Sequence, residues 1–350
     1  MPPGVSLHHR RKRGPNLFHP TGLQYDRDYR NGRGSRLAPQ GRKNGSARGD
    51  EIPTGEEIIV QARVVLDCDT ANEVDDQFAI AHALGLPEGM LDVRGVISVH
   101  NTTAHGPGSR DMYQEEAERV VALCASDVPC IPGAQRPMES REEPVPSAGL
   151  EFLVEQARQG PLTVIVTGPA TDVSSLFLAA PESRENMRVV WLGGFGDEAS
   201  YRVWQNRMGE LNGRADIAAY RTLLEEPVDL LHIPTWPAPA KILVDPTPFG
   251  EELRALGRPI ASYLAEILQL RATEYGQPEK RKELWDLACI AAVADPGAIT
   301  SGPLAVPKVD AAGAHDFMRP GREVEVVSDL DERRVLAGLM EALARHPESW

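Results

Sequence analysis

From residue 62 onward, short apolar runs alternate with longer amphipathic ones, and this alternation restricts the fold more than any other feature. ARVVLDCD (62–69), VRGVISVH (93–100), LTVIVTG (162–168), MRVVWLGG (187–194) and VDLLHIP (228–234) read as buried strands. VDDQFAIAHALGL (74–86), DMYQEEAERVVALCA (111–125), EFLVEQARQ (151–159), TDVSSLFLAA (171–180) and ADIAAYRTLLEE (215–226) read as helices between them. Such alternation builds βαβ units, and so predicts an α/β fold with a mostly parallel central sheet and helices on both faces. The later chain is more helical, over 248–276 and 284–295. A last strand, EVEVV (323–327), and a helix over 331–346 follow.

The first 50 residues carry 11 basic against 3 acidic side chains, whereas the other 300 carry a net charge of −22. An acidic body excludes nucleic acid as a partner. The basic head is rich in Gly, Arg, Asn and Pro and has no apolar period. Residues 1–55 are therefore expected to be a disordered leader, and 56–350 a single domain. No apolar run reaches the roughly 18–20 residues that a membrane span needs. The basic HHRRKRG (8–14) is not followed by an apolar signal core, so the default location is the cytoplasm. Cys68, Cys124, Cys130 and Cys289 form no CxxC pair, which argues against a zinc site or a disulfide framework.

The chemistry concentrates in VVLDCDTANEVDDQFAIAHAL (64–84), where Asp67, Asp69, Asp75 and Asp76 fall within ten positions. In a parallel sheet, ligands bind beyond the carboxyl ends of the strands. Asp67 and Asp69 sit at such an end, and Asp75 and Asp76 open the next helix. One or two of these acids would serve as turn or cap residues. Four on one short loop repel one another unless a cation compensates. Carboxylate oxygens suit a hard ion such as Ca²⁺ or Mg²⁺.

This stretch resembles the signature of the inosine/uridine-preferring nucleoside hydrolases, in which a DxD at a strand end precedes a DD pair opening a helix. The spacer TANEV is about two residues longer than usual. Asn72-Glu73 before the pair and Gln77 after it resemble a divergent branch of the family. Further segments are similar in the same order: ISVHNTT (97–103), VTGPATDVSSL (166–176), WLGGFG (191–196), GELNGRADIAAY (209–220) and ELWDLACIAAVADP (283–296). The resemblance implies the Rossmann-like nucleoside hydrolase fold. It also implies hydrolysis of the N-glycosidic bond of a ribonucleoside, or a related N-ribosyl compound, to base and ribose.

By the same resemblance, Ca²⁺ is held by Asp69, Asp76, the Thr167 carbonyl and Asp286. A water on that ion is the nucleophile, and Asp69 is the general base. Asp75, Asn101, Glu210 and Asn212 take the ribose hydroxyls. Asp67 stands behind Asp69. The family pattern also implies a small-molecule nucleoside partner, a role in purine or pyrimidine salvage, and a homo-oligomer, dimer or tetramer.

The departures fall on the base side. The usual His before the late Asp is Trp285, and an indole cannot protonate a leaving base. His100, beside Asn101, is the candidate to compensate, and Trp285 is a candidate to stack on the base. Trp204 and Asn206 are further candidates to reach the pocket. Two rival readings follow. One is a ribose- or nucleoside-binding protein without catalysis on the same fold. The other, from VVLDCDT, is a haloacid-dehalogenase-like phosphatase, although Ala71 stands where that motif wants Thr or Val.

Overall fold

The computed structural model describes residues 61–205, 210–274 and 281–348. The basic leader expected over 1–55 lies outside them, as does Asn206. The first half runs β1 (Ala62–Cys68), α1 (Asp75–Leu84), β2 (Leu91–Ser98), α2 (Thr102–His105), α3 (Ser109–Leu123), β3 (Cys130–Pro132), α4 (Ala148–Arg158), β4 (Leu162–Val166) and α5 (Thr171–Ala179). Then come β5 (Met187–Leu192), α6 (Glu198–Trp204), α7 (Asn212–Ala215), α8 (Ile217–Glu225), β6 (Asp229–Ile233), β7 (Leu243–Val244), α9 (Pro246–Ala255) and α10 (Pro259–Glu274). β8 (Lys282–Glu283), α11 (Leu287–Ala294), β9 (Ile299–Val309), β10 (His315–Leu330) and α12 (Glu332–Arg345) close the order.

Eight strands form one sheet in the order β3-β2-β1-β4-β5-β6-β10-β9. Every pairing is parallel except β9 with β10. The α/β class with helices on both faces is therefore as expected. The chain winds outward from β1 to β3, returns, and winds the other way from β4. The crevice at this reversal, between the carboxyl ends of β1 and β4, is where such sheets take ligands.

Alternation along β1 sorts its side chains. Val64, Leu66 and Cys68 pack into the apolar layer that includes α1, α10, α11 and α12; Val65 packs into the layer that includes α4, α5 and α8. Asp67 is in phase with Val65 and Asp69 lies beyond the strand end.

The short elements α2, α6, β7 and β8 add to the expected set, and three longer stretches differ from expectation. β9 was not foreseen, because Pro303 and Pro307 interrupt any strand pattern. Proline is tolerated here because β9 is the sheet edge, where a missing N–H breaks no ladder on the outer side. β10 begins at His315, eight residues ahead of EVEVV. The helical region 248–276 is two helices: Gly257, at φ +65, ends α9, and Pro259 begins α10.

Candidate active site

The acid loop joins β1 to α1. Asp75 and Asp76 occupy the first turn of α1, where the helix dipole favours negative charge. The loop turns through Ala71 at φ +82, a left-handed conformation that costs an alanine about 1–2 kcal/mol. Strain of this kind gathers at functional loops. The β4–α5 turn approaches closely: a Cβ on Gly168 would lie 3.1 Å from the Asp69 amide nitrogen and 2.7 Å from Val99 Cγ1. Only glycine lets the two turns meet there.

Asp286, more than 200 residues away in sequence, reaches the same place from the start of α11. One oxygen each from Asp75, Asp76 and Asp286 lies within 4.8 Å of the other two. Asp69 neighbours this group: its charge acts on both Asp76 and Asp286. Exposure of Asp69, Asp75, Asp76 and Asp286 is 2, 4, 1 and 3%. Two unit charges this close repel by roughly 3 kcal/mol even at an effective dielectric constant of 20. Burial, and then the neighbouring acids, hold Asp76 and Asp286 well above the usual carboxylate range. Burial pushes Asp69 up to about 7, against the pull of its partners Asn101, Asp76 and Asn72.

Each remaining candidate has a definite place. Asn101 Nδ2 donates to Asp69 Oδ2 at 2.6 Å, and Asn72 Nδ2 donates to the same oxygen at 3.0 Å. Thr167 donates its hydroxyl to Asp76 Oδ1 at 2.7 Å. The Thr167 carbonyl accepts from Asn212 Nδ2 at 2.6 Å, and the same Asn212 nitrogen reaches the Leu192 carbonyl at 2.9 Å. Glu210 Oε1 accepts the amides of Gly194 (2.9 Å) and Gly213 (2.8 Å). Glu210 and Asn212 therefore tie the ends of β4, β5 and α7 together with the atoms shown. Asp67 is wholly buried, its carboxylate has no hydrogen-bond partner among the described residues, and burial followed by Asp172 and Asp69 raises its pKa well above the usual range.

His100 is fully buried. Its Nδ1 accepts the Thr102 amide (3.3 Å) and its Nε2 lies 3.0 Å from Thr171 Oγ1. The Nδ1 contact fixes Nε2 as the protonated nitrogen. Thr171 Oγ1 passes the chain on to Asp216 Oδ2 at 2.8 Å. Burial lowers the His100 pKa to about 4, so the ring is neutral. Both nitrogens are therefore engaged, Nδ1 by the Thr102 amide and Nε2, through Thr171, by a second buried acid group made of Asp172 and Asp216. Asp172 accepts the Ala134 amide (2.9 Å) and the Ser147 hydroxyl (2.6 Å). Asp216 also accepts the amides of Met138 and Ala219, both at 2.8 Å.

Trp285 is half-buried, with an unpartnered Nε1. Its ring lies edge-on to Trp236 (centroids 6.4 Å apart), and Trp236 stacks on Trp204 at 4.4 Å and 7°. Lys282 Nζ sits 4.2 Å from the Trp285 ring centroid and 3.4 Å from Glu73 Oε2. One neighbouring histidine escaped the sequence reading. His105 closes α2, and its Nδ1 is 2.7 Å from the Tyr113 hydroxyl. The available signal was its spacing: it lies four residues after Asn101, the N-cap of that turn.

The donor set is oxygen-rich, buried, acidic and short of cations, since Lys282 already has Glu73. That composition fits a hard divalent ion held by Asp69, Asp75, Asp76, Asp286 and the Thr167 carbonyl, whose oxygen retains a lone pair beside the Asn212 bond. Residues 64–337 match the family model described as inosine-uridine preferring nucleoside hydrolase. The chain belongs to this family. Its members are ribonucleoside hydrolases, so this nucleoside hydrolase is an N-glycosyl hydrolase rather than a haloacid-dehalogenase-like phosphatase. A curated relative, the pyrimidine-specific ribonucleoside hydrolase RihA of Escherichia coli O1:K1 / APEC, is 26% identical over 62% of this chain and 73% of its own. The purine-preferring ribonucleoside hydrolase from Gardnerella vaginalis shares the fold, with a TM-score of 0.63 and 19% identity over 81% of this chain and 98% of that one. So does the type III effector protein XopQ, solved with adenosine diphosphate ribose (TM-score 0.59, 19% identity, 82% of this chain and 94% of that one).

Proposed function

We propose that this nucleoside hydrolase cleaves the N-glycosidic bond of a ribonucleoside at the acid crevice, with Ca²⁺ as its resident ion and Asp69 as general base. The observation that carries this reading is the meeting of Asp75 and Asp76 with Asp286, far apart in sequence and buried together at the reversal point of the sheet. Asp69, Asp75, Asp76, Asp286 and the Thr167 carbonyl would hold the ion. When bound, it would offset the acids' charge, make a water more acidic and draw in the ribose 2′- and 3′-hydroxyls.

The chain's own groups do the rest. Asn101 and Asn72 both hold Asp69 Oδ2, which fixes the carboxylate that takes the proton of the attacking water. The buried negative charge favours the oxocarbenium-like ribosyl cation that forms as the bond to the base breaks. Asn212 fixes the Thr167 carbonyl, and Glu210 fixes the glycine turns at 194 and 213; the free edges of both side chains complete the sugar pocket. Orientation of sugar and water on this frame supplies several kcal/mol of the barrier reduction.

A second reading is favoured by Trp285, which stands where the family's proton-donating His is usual. On that reading the pocket binds a ribosylated compound, of the kind seen with XopQ, without efficient hydrolysis. A reducing-sugar assay over a nucleoside panel, with Ca²⁺ or with chelator, decides between them. Ribose release that chelator abolishes and Ca²⁺ restores is the expected result. Saturable ligand binding with no sugar release from any nucleoside would overturn it.

A further inference from the structure

The departing base needs a proton, and neither aromatic ring that the sequence offers supplies one. Trp285 has no acidic proton, and both nitrogens of His100 are engaged. His105 differs from both. It is exposed, its Nδ1 meets the Tyr113 hydroxyl, and its Nε2 has no hydrogen-bond partner among the described residues. Resting on the functional reading above, we propose that His105 is the proton donor to the leaving base, with Tyr113 as its positioning residue.

Two independent connections place His105 at the mouth of the acid crevice. The first is through α2. Asn101 binds Asp69 with its Nδ2 and caps α2 with its Oδ1, which accepts the Ala104 amide at 3.2 Å. The turn ending in His105 is thereby rooted on the general base. Gly106 (φ +74) and Gly108 (φ +88) then bend the chain into α3, which carries Tyr113 back beneath the imidazole. The rings meet edge to face, centroids 5.8 Å apart at 73°. Tyr113 is fully buried; burial first, and then the charges of Asp69 and Asp76, push its phenol far up, so it stays neutral.

The second connection is the rim. Trp285 lies under Lys282, Lys282 pairs with Glu73, and Glu73 lies 3.7 Å from Arg271, which also donates to the Asn72 carbonyl. Partial burial, and then the Arg271 charge, lower the His105 pKa, and Glu73 pulls the other way, so the protonated ring is a stronger acid than a free imidazolium. Trp285 is thus tied, through Lys282 and Glu73, to the loop that carries Asp69, and the charges of that loop's partners reach His105.

The step balances without any co-reactant beyond water. In the imidazolium form both ring nitrogens carry protons, and the Tyr113 oxygen accepts the Nδ1–H. The C1′–N bond breaks with its electron pair going to the base nitrogen, which takes the Nε2 proton. Water adds to C1′ and its proton goes to Asp69. Solvent reprotonates exposed His105 and removes the proton from Asp69, so one water is consumed per cycle.

The test is leaving-group dependence, using the full chain with Ca²⁺. Wild type, His105→Gln and Tyr113→Phe are assayed on inosine, uridine and p-nitrophenyl riboside, whose leaving group needs no proton. His105→Gln should lose about 100-fold or more in kcat on the two nucleosides, the scale of a general acid, and less than about threefold on p-nitrophenyl riboside. Tyr113→Phe, which keeps the ring, should show the same selectivity with a smaller loss, on the order of tenfold. A uniform loss on all three substrates, or none on the nucleosides, overturns the assignment. A wild type that cleaves none of the three instead overturns the functional reading, and the assignment with it.

Discussion

The molecule buries two groups of acids, and they are built in opposite ways. Asp172 and Asp216 are surrounded by donors: the amides of Ala134, Met138 and Ala219 and the hydroxyls of Ser147 and Thr171. They pin the 133–147 segment to α5 and α8. Asp69, Asp75, Asp76 and Asp286 face mainly one another. Burial raises the pKa in both groups, which shows that burial alone does not mark a site. The distinguishing property is charge left unmet after every nearby donor is counted, because only that charge calls for an ion.

The largest expected effect sets these groups apart by Ca²⁺. Saturating Ca²⁺ at about 1,000 times its Kd should stabilise the wild type by about 4 kcal/mol, read as a rise in Tm. Asp286→Asn should remove most of that rise, and Asp172→Asn should leave it intact. A melting temperature indifferent to Ca²⁺ would erase the difference between the two groups.

Next comes activity. Asp69→Asn should lower kcat by at least about 100-fold, equivalent to roughly 2.8 kcal/mol of barrier. Wild-type turnover in this variant, measured by ribose release, would take the general-base role away from Asp69.

Changes in pH sharpen the contrast further. A carboxyl whose folded pKa is raised gives stability that is fully present below its unfolded pKa, near 4, and lost as pH rises through the folded value. With chelator, Tm should therefore fall from about pH 4 through about pH 7, where Asp69 ionises, and the raised Asp76 and Asp286 add to the fall. Ca²⁺ should flatten this fall, so that its effect on Tm is larger at pH 7.5 than at pH 5. The part due to Asp172, raised by burial to about 6, should persist with Ca²⁺ present. Equal Ca²⁺ effects at both pH values would contradict the placement of the ion among the four acids.

The smallest expected effect lies in the donor-rich group. Asp216→Asn should destabilise by about 1–3 kcal/mol, because acceptors for buried amides are weakened, with kcat on nucleosides changed less than about threefold. A loss of activity comparable to Asp69→Asn would mean that the two groups act as one.

Several features were legible early because they are local. The β1–α1 acid loop and the strands β1, β2, β4, β5 and β6 follow from short-range pattern, and the family resemblance singles out the late Asp286. What failed to show were matters of packing. β9 hides behind Pro303 and Pro307, whose tolerance depends on lying at an edge. His100 and His105 look alike in ISVHNTTAH; their difference is that Thr171 and Asp216 come up beneath the first, and Tyr113 beneath the second. Asp75, expected at the sugar, places an oxygen beside those of Asp76 and Asp286.

The sequence by itself determined the α/β alternation, the excess of acids at a strand end and the family to which the chain belongs, since each is written in residues close together along the chain. The tertiary structure alone decided which buried carboxylates are matched by donors and which are left facing one another. That outcome depends on contacts between residues tens to hundreds of positions apart, and on an electrostatic balance that only their final distances fix.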